Sequence, residues 1–163
     1  MKTRYLVAAC QMDSQNNKQA NLRIAGEMIA ENAAKGAEII AFPETVNFMG
    51  KGYRHQAEPV PGPTTDFFCE QAAKHKVWIV SGSFPEEQEN GKPYNTLILA
   101  DPEGNIRCRY RKLHMFDVEV ENTPSYKESD HNTAGNEIVL VDTELGRLGF
   151  AICYDLRFGE MFR

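Results

Sequence analysis

Short apolar runs alternate along this chain with segments whose apolar residues recur at helical spacing. Residues 5–10 form a run suited to a buried strand, and residues 18–35 follow as a helix. There Leu22, Ala25, Ile29 and Ala33 share one face, and Gly36 stands as a stop. Residues 37–42 read as a second apolar strand, halted by Pro43. A long loop rich in Gly and Pro covers 43–63; inside a domain such loops tend to be functional. Thr64 or Thr65 is placed to cap a helix running to residue 76, and 77–81 reads as a third strand. Asn90-Gly91 predicts a turn, 94–100 a strand, Asp101-Pro-Glu-Gly104 another turn, and 106–111 the strand it feeds. A polar loop over 117–136 precedes strands at 138–141 and 148–152. The βαβα order followed by hairpins predicts a mixed α/β layered fold.

Composition narrows the setting without changing this picture. The chain has 163 residues, suited to one domain, with no repeat, low-complexity tract or linker. A formal charge of −5, with no basic block to offset it, argues against nucleic-acid and anionic-membrane partners. The basic residues between Arg107 and Lys112 alternate as on a solvated strand face. The apolar run near the N-terminus is too short for a signal peptide or a membrane span. Cys10, Cys69, Cys108 and Cys153 show neither CxxC pairing nor metal-ligand spacing. Free thiols in a reducing, cytoplasmic compartment are the simplest expectation.

Candidate chemistry gathers at strand ends. In Arg147-Leu-Gly-Phe-Ala-Ile-Cys-Tyr-Asp-Leu-Arg-Phe158, Cys153 follows an apolar strand, and Asp155 offers an N-cap for a helix over 156–162. Backbone N–H groups at such a turn favour a thiolate and can hold an oxyanion; the bland alternative is an inert buried cysteine. Glu44 lies just past the strand 37–42, where α/β sheets bind ligands, but isolated glutamates are usually solvated loop residues. Lys112 ends the strand 106–111, a position from which lysines commonly reach into water.

Considered together, Phe42-Pro-Glu-Thr45, Tyr110-Arg-Lys-Leu-His-Met-Phe-Asp-Val-Glu119 and Gly149-Phe-Ala-Ile-Cys-Tyr-Asp-Leu-Arg-Phe158 resemble, in order, the signature segments of the nitrilase superfamily of carbon–nitrogen hydrolases. The branch most resembled contains the omega-amidases and deaminated glutathione amidases. The resemblance implies a four-layer α-β-β-α sandwich, of which 1–163 would be the N-terminal part, and pairing into homodimers or larger assemblies. It implies a catalytic Glu, Lys and Cys at Glu44, Lys112 and Cys153, with Glu128, in Tyr126-Lys-Glu-Ser-Asp130, as an assisting carboxylate. Gly159 departs from the proline often found there, which is expected to loosen the turn after Arg157.

The implied reaction cleaves a small amide through a thioester, with no metal or organic cofactor. Lys112 and the N–H of Tyr154 are the expected oxyanion donors, and Lys112 is expected to lower the Cys153 pKa from about 8.5. Arg157 matches a position that binds a substrate carboxylate in related amidases, pointing to an omega-amide or an N-carbamoyl acid over a nitrile. A structural ion pair with Asp155 or Glu160 is the alternative. His114, Phe116 and Tyr154 are candidate pocket walls or core residues. A Cys–His mechanism lacks any motif around His55, His75, His114 or His131, and a redox thiol lacks a resolving cysteine. A non-catalytic fragment that keeps the first half of the fold is the rival from another class.

Overall fold

Two-residue alternation sorts the strand side chains onto opposite faces of one sheet. The computed structural model describes residues 4–89, 91–119, 121 and 125–163. Its elements run β1 (Val7–Ala9), α1 (Lys18–Ala34), β2 (Ile39–Ala41), α2 (Pro63–His75), β3 (Trp78–Val80), β4 (Phe84–Glu86), β5 (Tyr94–Ala100) and β6 (Ile106–Arg111). There follow β7 (Asp117–Val118), β8 (Tyr126–Lys127), β9 (Leu140–Thr143) and β10 (Gly146–Gly149). Strands β1, β2 and β3 are parallel neighbours, and β5 runs antiparallel beside β3. The start of β5 pairs with β4 on that same side, and β6 lies along its other edge.

Ile40, Ile79, Phe84 and Ile98 face α1 and α2, packing with Ala25, Ile29, Phe68 and Ala72. Their sequence neighbours Ile39, Trp78, Leu97 and Leu99 point the other way, against Tyr110, Leu145, Phe150 and Ile152. The β9–β10 hairpin rests on that second face, tied by Trp78 Nε1 donating to Glu144 at 2.7 Å. Burying each such side chain contributes about 1.5–3 kcal/mol, so the alternation dictates a layer on both sides of the sheet. The mixed α/β expectation is met.

Several boundaries differ from expectation. The first strand is short and lies at the sheet edge, with Leu6 and Val7 about half exposed rather than buried. Gly62, not Thr64 or Thr65, precedes α2: Pro63 occupies the first helical position, and the Thr65 hydroxyl accepts from Gly62 N–H at 2.8 Å. The strand over 148–152 gives way to β10 ending at Gly149. Residues 156–162 form no α-helix but two short 3-10 turns, Cys153–Arg157 and Gly159–Phe162. Asp155 is not an N-cap; it sits inside the first of these turns and accepts from Ile152 N–H at 2.9 Å. The Asn90-Gly91 turn falls partly on Asn90, outside the described residues.

One close approach joins the fold to the candidate site. Between β3 and β4, Gly82 has φ +70°, and a Cβ there would lie 2.2 Å from the carbonyl oxygen of Pro43. The same segment grips the chain around Glu44: Ser83 N–H donates to Pro43 O, Thr45 N–H to Ser83 Oγ, and Val46 N–H to Ser83 O. Gly82→Ala is therefore expected to cost at least about 2 kcal/mol in urea denaturation. It should also shift the Pro43–Thr45 turn; unchanged stability would show that this contact is not required.

Candidate active site

Lys112 follows β6 and is only 1% exposed, so its ammonium must find partners inside the protein. Its backbone is held on both sides, N–H to Asn95 O at 2.9 Å and carbonyl from Gly135 N–H at 2.8 Å. Nζ donates to Glu44 Oε1 at 2.9 Å and to Glu128 Oε2 at 2.8 Å. Burial alone would lower the lysine pKa. The hydrogen bonds and charges of Glu128 and Glu44 outweigh it and hold the group above its ordinary value, so it stays an ammonium.

Glu44 comes from the turn after β2, where Thr45 has φ +56°. Glu128 opens a 3-10 turn, Glu128–Asp130, after the small β7–β8 hairpin, in what the sequence suggests is simply a polar loop. It is 5% exposed and also accepts from Phe116 N–H at 2.8 Å. Asn95 on β5 joins the two carboxylates, donating to Glu44 at 2.8 Å and Glu128 at 3.3 Å. Sequence reasoning passes over Asn95; the signal was an amide inside an otherwise apolar strand. Asn132, likewise unanticipated, is buried and donates to Glu128 at 3.4 Å.

Cys153 adopts φ +48°, an unfavourable conformation for a non-glycine residue, costing about 1–3 kcal/mol. Asp155 stabilises this turn. Fully buried, it accepts from Ile152 N–H, from Tyr110 Oη at 2.6 Å, and from both the N–H and the ring Nδ1 of His114. The thiol is pushed up from its usual value by desolvation, then by the charge of Glu44 and a hydrogen bond to it; Lys112 opposes this and loses. Cys153 as a residue is exposed, so water weakens the desolvation contribution and leaves the carboxylates as the durable cause. Lys112 acts in the expected direction, but the expected net lowering of this pKa is overturned. Lys112 is already neutralised by two carboxylates, and the resting thiol keeps its proton beside a base.

Glu44, Lys112, Glu128 and Cys153 line one cavity of about 840 Å³, together with Asn95, Phe116 and Tyr126. Tyr53, from the 3-10 turn Tyr53–Gln56 in the long loop, enters the same space. Burial and the charges of Glu44 and Glu128 keep its phenol protonated well above the usual range. Tyr154 follows Cys153, its ring edge-on to Phe116 and Phe158. Arg157 is not brought to the others: it is exposed and outside the cavity wall. His114 is held by Asp155 and stacks on Phe158 at 3.6 Å, leaving Phe116 as the candidate wall residue that lines the cavity. Among the described residues, no cluster of three or more His, Cys, Asp or Glu has metal-site spacing, and no helix is long and apolar enough to cross a membrane.

The carbon-nitrogen hydrolase family model matches residues 6–163. The chain belongs to that family. Human omega-amidase NIT2 is 35% identical over 161 residues, covering 98% of this chain and 58% of that protein. Hydrolase C26A3.11 of Schizosaccharomyces pombe is also 35% identical over 161 residues, covering 96% of this chain and 50% of that protein. The chain thus spans about half the length of the curated relatives it matches. The NitFhit crystal structure from C. elegans aligns with a TM-score of 0.87 at 34% identity, over 96% of this chain and 40% of that one. Saccharomyces cerevisiae Nit3, a nitrilase superfamily member, aligns with a TM-score of 0.80 at 28% identity, over 95% and 57%. The resemblance drawn from the three motifs holds at the level of family and fold. Glu44→Gln should lower the Cys153 pKa, because it removes the charge and the hydrogen bond that favour the thiol. Thiolate ultraviolet absorbance against pH, referenced to Cys153→Ala, checks the direction; a rise would overturn this account of the thiol.

Proposed function

We propose that this carbon-nitrogen hydrolase cleaves a small amide that carries a carboxylate, an omega-amide, by a Cys153 thioester route that releases ammonia. The observation that carries the reading is the shared cavity of a protonated thiol, a carboxylate beside it and a buried ammonium. Similarity to omega-amidases supports the amide class.

Amide carbonyls are weak electrophiles, so nucleophile and oxyanion both need help. Glu44 takes the Cys153 proton as Sγ attacks the carbonyl carbon. The electron pair moves onto oxygen, where the Lys112 ammonium and the Tyr154 N–H stabilise it. Collapse reforms the carbonyl and breaks the C–N bond, and Glu44 passes its proton to the departing nitrogen, giving ammonia and a thioester. Glu44 then draws a proton from water as hydroxide adds to the thioester; collapse breaks the C–S bond, the carboxylic acid leaves, and Glu44 returns its proton to Sγ to restore the thiol. Glu128 keeps Lys112 charged and aimed throughout. Because the thiol starts protonated, proton removal belongs to the attack step. Four free thiols suit a reducing, cytoplasmic setting, and assembly into homodimers or larger homo-oligomers is part of the same reading.

Ammonia release from omega-amides such as succinamate is the test. Cys153→Ala should abolish it, and Lys112→Met should reduce kcat about 10²- to 10³-fold, the loss typical of removing one oxyanion donor. Hydroxylamine trapping with mass spectrometry should find the acyl group on Cys153. Turnover that survives in Cys153→Ala would sink the mechanism.

A further inference from the structure

The reactive end of the cavity is poor in positive charge. Lys112 is engaged by Glu44 and Glu128, so these three groups sum to one negative charge. Asp13 adds another carboxylate to the wall. A substrate carboxylate is therefore repelled there and must be received elsewhere. Arg54 is the guanidinium among the described residues lining this cavity, and it lies at the exposed rim. It forms no ion pair with any described carboxylate. Its Nη2 instead meets His131 Nδ1 at 2.7 Å. A guanidinium only donates, so Nδ1 is the acceptor and the ring proton sits on Nε2, which leaves a further donor. The adjoining Tyr53 hydroxyl is buried and has no hydrogen-bond partner among the described residues, although it lines the same space. Such a hydroxyl is costly unless a ligand oxygen answers it.

We propose that Arg54, held in place by His131 and joined by the Tyr53 hydroxyl, is the subsite that receives the substrate carboxylate. This rests on the amidase reading above and assigns the specificity-determining cation to the long loop after β2 rather than to Arg157. The planar fork of Arg54 suits a bidentate carboxylate, and its side-chain partner among the described residues is an imidazole acceptor that leaves the positive charge available. The two loops that supply Glu44 and Glu128 then also supply both halves of the subsite, with the amide directed to Cys153.

Kinetics and binding test this separately. Ammonia release from succinamate and from its neutral counterpart butyramide is followed for the full chain, Arg54→Gln, Arg54→Lys and Arg157→Gln. Arg54→Gln should raise KM for succinamate about 10- to 100-fold, change kcat less than about threefold, and reduce selectivity over butyramide by the same factor as KM. Arg54→Lys should recover part of that selectivity. Selectivity retained in Arg54→Gln, or lost in Arg157→Gln instead, overturns the assignment. Calorimetry with succinate on Cys153→Ala, with and without Arg54→Gln, separates this proposal from the amidase reading. Succinate binding that disappears with Arg54→Gln upholds the subsite even if no amide is turned over. Equal binding to both proteins, or to neither, overturns it whatever the turnover.

Discussion

The buried ammonium of Lys112 is the constraint around which the site is arranged. An unpaired charge at this depth would cost several kcal/mol, so the fold has to deliver carboxylates to it. Glu44 and Glu128 arrive from loops far apart in sequence, and both are bridged by Asn95 on the strand between them. Their turns differ in kind. Glu44 is set by a backbone approach so close that only Gly82 fits. Glu128 is set by the β7–β8 hairpin and by its own bond to Phe116 N–H. Stability and function coincide here, because the same hydrogen bonds that make the lysine tolerable orient it.

Cys153 presents the opposite balance. Its left-handed backbone is locally unfavourable and persists because Asp155 binds the turn to β6 and to the segment after Lys112. The Cys153 turn and the strand leading to Lys112 are thereby tied through one buried carboxylate. Desolvation and the Glu44 carboxylate beside the sulfur hold the resting group as a thiol; in the proposed reaction its proton passes to a neighbour already in place. A thiol that is neutral at rest is also less prone to oxidation, which tracks thiolate character.

Much of the frame was legible because it depends on local periodicity. The spacing of Leu22, Ala25, Ile29 and Ala33 made α1 visible, and the turn signals Asn90-Gly91 and Asp101-Pro-Glu-Gly104 bracketed the strand that is β5. Boundaries were less legible where a side chain, not a propensity, decides them. Asp155 looked like a helix cap, yet its bond to Ile152 N–H draws it inside a 3-10 turn. Glu44, Lys112, Cys153 and Glu128 were legible through their motifs. Asn95, Asn132, Tyr53 and Arg54 were not, since an amide in a strand or an arginine in a loop carries no spacing signal of its own.

What the sequence alone determined is the layered α/β frame, the family and the four residues Glu44, Lys112, Glu128 and Cys153 that line one cavity. Each follows from patterns a few residues long or from motifs read in order. What only the tertiary structure decided is the electrostatics: that Lys112 is saturated by two carboxylates, that the Cys153 thiol is raised rather than lowered, and that Arg54 lines the cavity while Arg157 stands outside it. These depend on distances between segments separated by scores of residues and on how far each charge lies from water. Coulombic and desolvation energies follow those distances in space, which no order along the chain specifies.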